Sequence, residues 1–591
     1  MKILSFLAFF ACVFTVFGQV IHHKVSMPNP ETHYFHVQTT LKDFKDKELI
    51  LTMPVWSPGS YLIREYPQNV NQVRAKDRNG NALPIRKITK NQWKLEKGRA
   101  KEVTIEYEYY AFELTVRTSF LDETHGYFNG SNLFTCPEGY EDLGGKLTIV
   151  PHSTFKKITI PLPEQADGFA ADVNAKTYIF QDFEELTDTP CEIGNQETFS
   201  FEAAGTIHHV AIYGVGSYDV DLLKRDMAKI VESATKIFGE NPNKEYWFII
   251  HNVVGGTGGL EHKNSTTLST DRWVYSGNTY NNFLSLVAHE YFHVWLVKRL
   301  RPSELVTYDF SQENYTDWLW VMEGFTAYYD ELILRRAGIY TKQEFFNKFR
   351  GTLNWIEGTI GNNVQPVADA SFDAWIKAYR PNENSSNTTI SYYSKGGIIA
   401  GVFDAMIISN SNGEKSLDDF MKELYQNYYV KKNVGINYDN FTKTLAKYTG
   451  KEMHDFFEKY IYGTEQIPFE KYFTPIGIEV NRYVSERLEF GASLSNSGGK
   501  LIVNSVASGS AAEKAGLSPN DEIIAFNGFR VNKNDFERFI FQLDEGDDFN
   551  LIISRDLKLI SLDSKMEYIK TPKVEMNYVG SRLGEYWLRE D

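Results

Sequence analysis

The pentapeptide His289-Glu290-Tyr291-Phe292-His293 sets two imidazoles four residues apart with a carboxylate between them. On a helix, residues four apart share a face, so His289 and His293 can hold one Zn2+ while Glu290 stands within reach of a water to be deprotonated. That is the chemistry of a zinc hydrolase. The flanks agree with a helix: Phe283, Leu284, Leu286, Val287 and Ala288 precede the pentapeptide, and Val294, Trp295, Leu296 and Val297 follow it. Neither Pro nor Gly interrupts the run from Asn278 to Arg301. Two core histidines satisfied by backbone carbonyls would carry the same letters, so a third ligand has to decide.

A catalytic zinc takes three protein ligands and keeps a fourth position open. The common gluzincin spacing, with eighteen residues between the second His and a Glu, falls here on Gln312, a poor ligand. Further on, Glu323 is the one carboxylate in the apolar helical run 318–329, where an unpaired Glu would be costly. Asp330 lies seven residues later, two helical turns along the same face. There it would orient a ligand histidine through its second ring nitrogen, or simply be solvated at a helix edge. Glu304 and Glu313 are rival ligands, but the polar segment 301–317 reads as loop. The expectation is one Zn2+ per chain on His289, His293 and Glu323, with Glu290 as the base and Asp330 behind the first histidine.

The runs HEYFHVWLVKRLRP (289–302) and ENYTDWLWVMEGFTAYYDELILRRAG (313–338) closely resemble the glycyl aminopeptidases, a family of bacterial gluzincins. Further matches follow along the chain: WSPGSYLIREY (56–66), GGLEHKNST (258–266) and SFDAWIKAYRPNENSSNTTISYYSKG (371–396). The resemblance spans nearly all of the chain after its leader, and the long gap from His293 to Glu323 is the family's own. It implies peptide substrates with a free N-terminus and a preference for N-terminal Gly or Ala. An aminopeptidase must hold a cationic α-amine, and Glu261 sits on a Gly-rich strand edge where Gly258 and Gly259 let a substrate backbone approach. The alternative for Glu261 is an ordinary loop carboxylate, and His262 beside it reads as structural. By the same resemblance Tyr393 aligns with a tyrosine that donates to the oxyanion, with Tyr392 and Lys395 as neighbouring alternatives.

Composition bounds the rest. The chain has 591 residues, 42% of them hydrophobic, so several cores can form. A formal charge of −15 argues against a nucleic-acid partner. Lys2, the apolar run from Ile3 to Phe17 and the small residue Gly18 read as a cleavable secretory signal rather than a membrane anchor. That implies a periplasmic or extracellular protein, with no membrane span in the mature chain. Export leaves two cysteines, Cys136 and Cys191, which would form one disulfide or stand as two buried thiols.

The fold class expected is multidomain α+β. After the signal at 1–18, residues 19–207 alternate with period two and read as an antiparallel β domain. Residues 208–340 read as a thermolysin-like catalytic domain, with a helix near 219–239, strands near 245–253 and 266–270, and the two zinc helices. Residues 341–475 read as helices, including 397–409 and 416–428, and 480–565 resemble a bacterial PDZ domain, followed by a tail at 566–591. Such a domain takes a peptide or protein C-terminus by strand addition, with the Phe490-Gly491 turn at the carboxylate, or it packs on the catalytic domain without a ligand.

Three functions fit these observations: an aminopeptidase for small N-terminal residues, a zinc endopeptidase on the same scaffold, or an inactive peptide-binding scaffold. Retention of both histidines, the base and the third Glu counts against the last.

Overall fold

The computed structural model describes residues 18–165 and 174–591. Of the expected leader at 1–18, residues 1–17 lie outside the described residues. The chain divides into two compact units: residues up to Ser57 together with Arg64–Asn195, and Pro58–Ile63 together with Gln196–Asp591.

The first unit is built of β-sheets. In Tyr34–Lys42 every second residue is buried (Phe35, Val37, Thr39, Leu41), and in Glu102–Tyr110 so are Val103, Ile105, Tyr107 and Tyr109. One face of each strand therefore supplies the core. Among the described residues its pairing is antiparallel except that Val20–Ser26 runs parallel to Gly145–Val150. Cys136 and Cys191 are buried free thiols, and burial pushes both well above the usual thiol range.

The second unit begins earlier than the alternation suggested. Glu197–Ala203 and Thr206–Tyr213 look like two more strands of the β domain, and the expected boundary at 207 falls inside the second of them. They instead start a five-stranded sheet in which Thr206–Tyr213 pairs in parallel with Glu245–Val253, and that strand with Ser265–Asp271. The division lies at 195–196. Gly259–Glu261 is one of its edge strands, antiparallel to Ser265–Asp271.

The helix Val220–Phe238 is capped by Asp219, whose side chain accepts from the Asp221 and Leu222 amides. It buries Leu223, Met227, Ile230, Ala234 and Ile237 on one face and stops at Gly239. The helix Gly277–Phe292 carries the first histidine. Its end corrects the expectation of an unbroken run: the helix stops at Phe292 with His293 as its cap, although Val294–Val297 are apolar. Val297 has φ 83, rare for a β-branched residue, and in the same turn the His293 ring meets the Leu296 carbonyl.

Helices follow from Lys342 to Phe473, among them Tyr392–Asn410, flat in hydrophobicity and buried on nearly every side. A C-terminal β-sheet of strands Ala492–Ser497, Lys500–Val506, Glu522–Phe526, Asp548–Arg555 and Lys558–Lys565 closes over Phe490, Val503, Phe526, Phe536 and Leu551. The expected tail is structured: Tyr568–Tyr578 pairs along its length with Ile478–Leu488, and Arg335 bonds to the Leu588 carbonyl and to Glu590 at 2.7 Å. Among the described residues no helix is long and apolar enough to cross a membrane.

Candidate metal and peptide site

His289 and His293 leave the same face of their helix, with ring centroids 4.9 Å apart. Glu323 comes from the junction between the short helix Leu319–Met322 and the helix Gly324–Arg336, and it is 2% exposed. Its Oε2 lies 3.4 Å from Nε2 of each histidine. The other ring nitrogens are engaged behind: His289 Nδ1 lies 2.9 Å from Asp330 Oδ2, and His293 Nδ1 lies 3.2 Å from the Leu296 carbonyl oxygen. Both Nε2 atoms and one carboxylate oxygen therefore converge within 4.8 Å. Two imidazoles and a carboxylate, each imidazole held from its far nitrogen, fit Zn2+.

Electrostatics lead the same way. Burial alone would raise Glu323, but the charges and hydrogen bonds of His293 and His289 outweigh it and hold the carboxyl at about 2. Burial opposes charge on the imidazoles too, yet Asp330 and Glu323 hold His289 well above its ordinary value, and Glu323 and Glu261 raise His293. Negative charge in excess around two imidazoles favours a bound cation.

Glu290, 5% exposed, stands beside this cluster, and burial pushes its carboxyl up to about 7. Glu261, 4% exposed, forms a second group with Glu290 and His293 whose ligand atoms also lie within 4.8 Å. Oε1 of Glu261 and Oε2 of Glu290 have no hydrogen-bond partner. Gly259 leaves room for this arrangement, since a Cβ there would lie 2.2 Å from Glu290 Oε1. Gly258 precedes it with φ 98, and its carbonyl accepts from the Ser269 amide.

The Tyr393 ring lies 6.2 Å from His289, and burial with the nearby Glu323 charge keeps its phenol protonated. Tyr392 stacks on it at 4.7 Å and is buried. Lys395 is buried on the next turn, and burial pushes its ammonium down to about 8. A cleft of about 640 Å3 runs past Tyr393, walled by Tyr379, Tyr392, Trp355 and Asn387 and, from the C-terminal sheet unit, Ala507. Asn387 joins the two walls, donating to the Val506 carbonyl and accepting from the Ser508 amide, each at 2.9 Å.

The rival ligands lie elsewhere. Glu304 is exposed and takes the Thr316 hydroxyl, Gln312 bonds to Asp309, and neither Glu304 nor Glu313 belongs to the converging groups. His262 is buried outside them as well. One segment expected in the β domain at 19–207 lies elsewhere: Pro58–Ile63 packs in the catalytic unit, where Gly59 meets Glu261. The only sign of it was the WSPGSYLIREY match, which carries no chemistry of its own.

Comparison with known proteins supplies the family. A family model for the M61 glycyl aminopeptidase matches residues 282–399, and models for the M61 N-terminal domain and a PDZ domain match 22–195 and 489–566. The crystal structure of an aminopeptidase N family protein from Idiomarina loihiensis superposes with a TM-score of 0.88 at 30% identity, covering 96% of this chain and 100% of that one. The chain belongs to the M61 glycyl aminopeptidase family. It is a metallopeptidase, with a C-terminal PDZ domain in the segment 489–566. An M1 zinc metallopeptidase from Deinococcus radiodurans covers 76% of this M61 chain and 95% of its own at 13% identity, with a TM-score of 0.46. Yeast LTA4 hydrolase in complex with bestatin covers 78% and 70% at 13% identity, also at 0.46. These two likenesses are too slight to argue from. No curated protein matches the chain.

Proposed function

We propose that this metallopeptidase is an exported zinc aminopeptidase that removes Gly or Ala from the free N-terminus of peptides. The observation that carries the reading is the Glu261 carboxylate, buried in one cluster with Glu290 and His293 and holding an oxygen without a partner. A buried carboxylate beside the catalytic base suits an α-ammonium group. A charge-assisted contact of that kind contributes about 1.5–3 kcal/mol, enough to select a free N-terminus over a blocked one.

His289, His293 and Glu323 would hold the zinc, which supplies a Lewis acid and lowers the pKa of a water when bound. Glu261 fixes the substrate's amine, and the edge strand from Gly259 supports its backbone. Glu290 takes the proton from the attacking water and returns it to the leaving amine. Tyr393, protonated and beside His289, donates to the oxyanion as the carbonyl becomes tetrahedral. The edge strand Ala492–Ser497 supports a peptide or protein C-terminus as a partner of the PDZ domain. Export rests on the leader sequence, and the preference for Gly or Ala on the family resemblance.

A panel of aminoacyl chromogenic substrates, with and without a chelator, tests the reading. Release from Gly and Ala substrates should exceed that from bulkier ones and vanish with the metal. N-acetylated peptides should resist cleavage. Equal cleavage of acetylated and free peptides would replace this reading with an endopeptidase on the same scaffold.

A further inference from the structure

The segment Pro58–Ile63 lies in sequence among the strands of the first unit but folds into the second, and Pro58 through Tyr61 are buried there. Gly59 has φ 88, a conformation open to glycine and strained for any L side chain. A Cβ at this position would lie 2.4 Å from Glu261 Oε1, 2.6 Å from Oε2 and 2.7 Å from Cδ. The three atoms nearest to it all belong to the carboxylate head. The Glu261 carboxylate thus rests against the Gly59 backbone and has ligand atoms of Glu290 and His293 within 4.8 Å.

The loop that carries Gly59 is itself anchored. The Leu62 amide bonds to the Ser60 carbonyl at 2.8 Å in a tight turn, and the Tyr379 hydroxyl approaches the Gly59 carbonyl at 3.4 Å. The Tyr61 ring meets Trp375 edge-on at 5.7 Å and Tyr379 at 6.2 Å. Tyr379 also lines the cleft beside Tyr393. A backbone wall on an anchored loop can fix a carboxylate without donating a hydrogen bond to it, which leaves Oε1 for a cation.

We infer that Gly59 is a positioning residue for the amine clamp: its bare α-carbon sets where the Glu261 carboxylate stands and so how tightly the substrate's α-ammonium is held. The inference rests on the reading of Glu261 given above. Its rival is that Gly59 serves the turn alone and meets Glu261 by coincidence. The two differ in whether substitutions at 59 and 261 act through one another.

The test is a double-mutant cycle of Gly59→Ala and Glu261→Ala, made both in the active enzyme and in Glu290→Gln protein, where triglycine binding is read by calorimetry without turnover. Gly59→Ala should raise KM for free-amine substrates and the Kd of triglycine about tenfold or more, with kcat changed less than about threefold. In the Glu261→Ala background the same substitution should add less than about twofold. Full additivity, or a Gly59→Ala enzyme with unchanged KM and Kd, overturns the inference and leaves the amine clamp standing. An ineffective Glu261→Ala would instead remove the clamp, and the inference with it.

Should Gly59→Ala not fold, Glu261→Asp carries the test, because it draws the carboxylate off the Gly59 wall while keeping the charge. A loss of triglycine affinity close to that of Glu261→Ala supports the inference. Retention of the wild-type Kd overturns it.

Discussion

Nδ1 of His289 lies 2.9 Å from Oδ2 of Asp330, and through that contact the first imidazole is tied to the helix Gly324–Arg336, which starts next to Glu323. One short segment thus provides a carboxylate at the metal position and another behind its histidine partner. Asp330 fixes the ring orientation and the tautomer that leaves Nε2 a lone pair. Asp330→Ala should therefore lower zinc affinity about 10–100-fold, read by competition with a chelator of known affinity. Undiminished affinity would mean that packing alone orients His289.

Glu290 is placed for proton transfer, buried and with Oε2 lacking a partner. Glu290→Gln preserves the shape of the site and removes the base. It should keep its zinc and lose about 10²–10⁴-fold in kcat. A loss under about tenfold, with metal content unchanged by elemental analysis, would assign the base to another group.

Tyr393 stands at the start of the helix Tyr392–Asn410, its ring 6.2 Å from His289. Removing its hydroxyl takes away a donor needed only when the oxyanion forms. Tyr393→Phe should then lower kcat about 10²–10³-fold and leave KM nearly as it was. Were Tyr392→Phe the more damaging of the two, the neighbouring tyrosine would take over the role.

The sequence exposes those parts of the site whose spacing is local. His289, Glu290 and His293 follow from helical periodicity, and Glu323 from the cost of a carboxylate among Trp320, Val321, Met322 and Phe325. The end of the histidine helix was hidden, because Val294–Val297 carry no breaker. The turn that follows shows only in the folded chain, where the His293 ring meets the Leu296 carbonyl and Val297 has a left-handed backbone. The domain boundary was hidden for a similar reason. Glu197–Ala203 and Thr206–Tyr213 alternate as the earlier strands do, and only pairing with Glu245–Val253 assigns them to the catalytic sheet. Gly59 was least legible of all: Ser-Pro-Gly-Ser reads as a turn, and nothing local says that a carboxylate some two hundred residues away will rest on it.

His23 gives the first unit a dependence on pH whose sign can be worked out. The ring is 1% exposed, lies against Phe134 and Phe180 at 4.8 and 5.9 Å, and places Nδ1 2.9 Å from the Thr39 hydroxyl. Burial, reinforced by the neighbouring His22, pushes the imidazole down to about 3, against about 6.5 in an unfolded chain. Between those values the unfolded chain binds a proton that the folded unit refuses. The contribution of His23 is therefore complete above about pH 6.5 and is lost as pH falls toward about 3, in total on the order of 5 kcal/mol. His208 in the second unit, pushed down to about 4 by burial, acts with the same sign, and carboxylates add slopes of their own, so a comparison with a variant is needed. In denaturant titrations of the unfolding of the first unit, His23→Gln should show a shallower fall in stability between pH 6.5 and 4 than the parent, even if it starts less stable. Identical slopes in the two proteins would mean that the buried ring takes up its proton without unfolding.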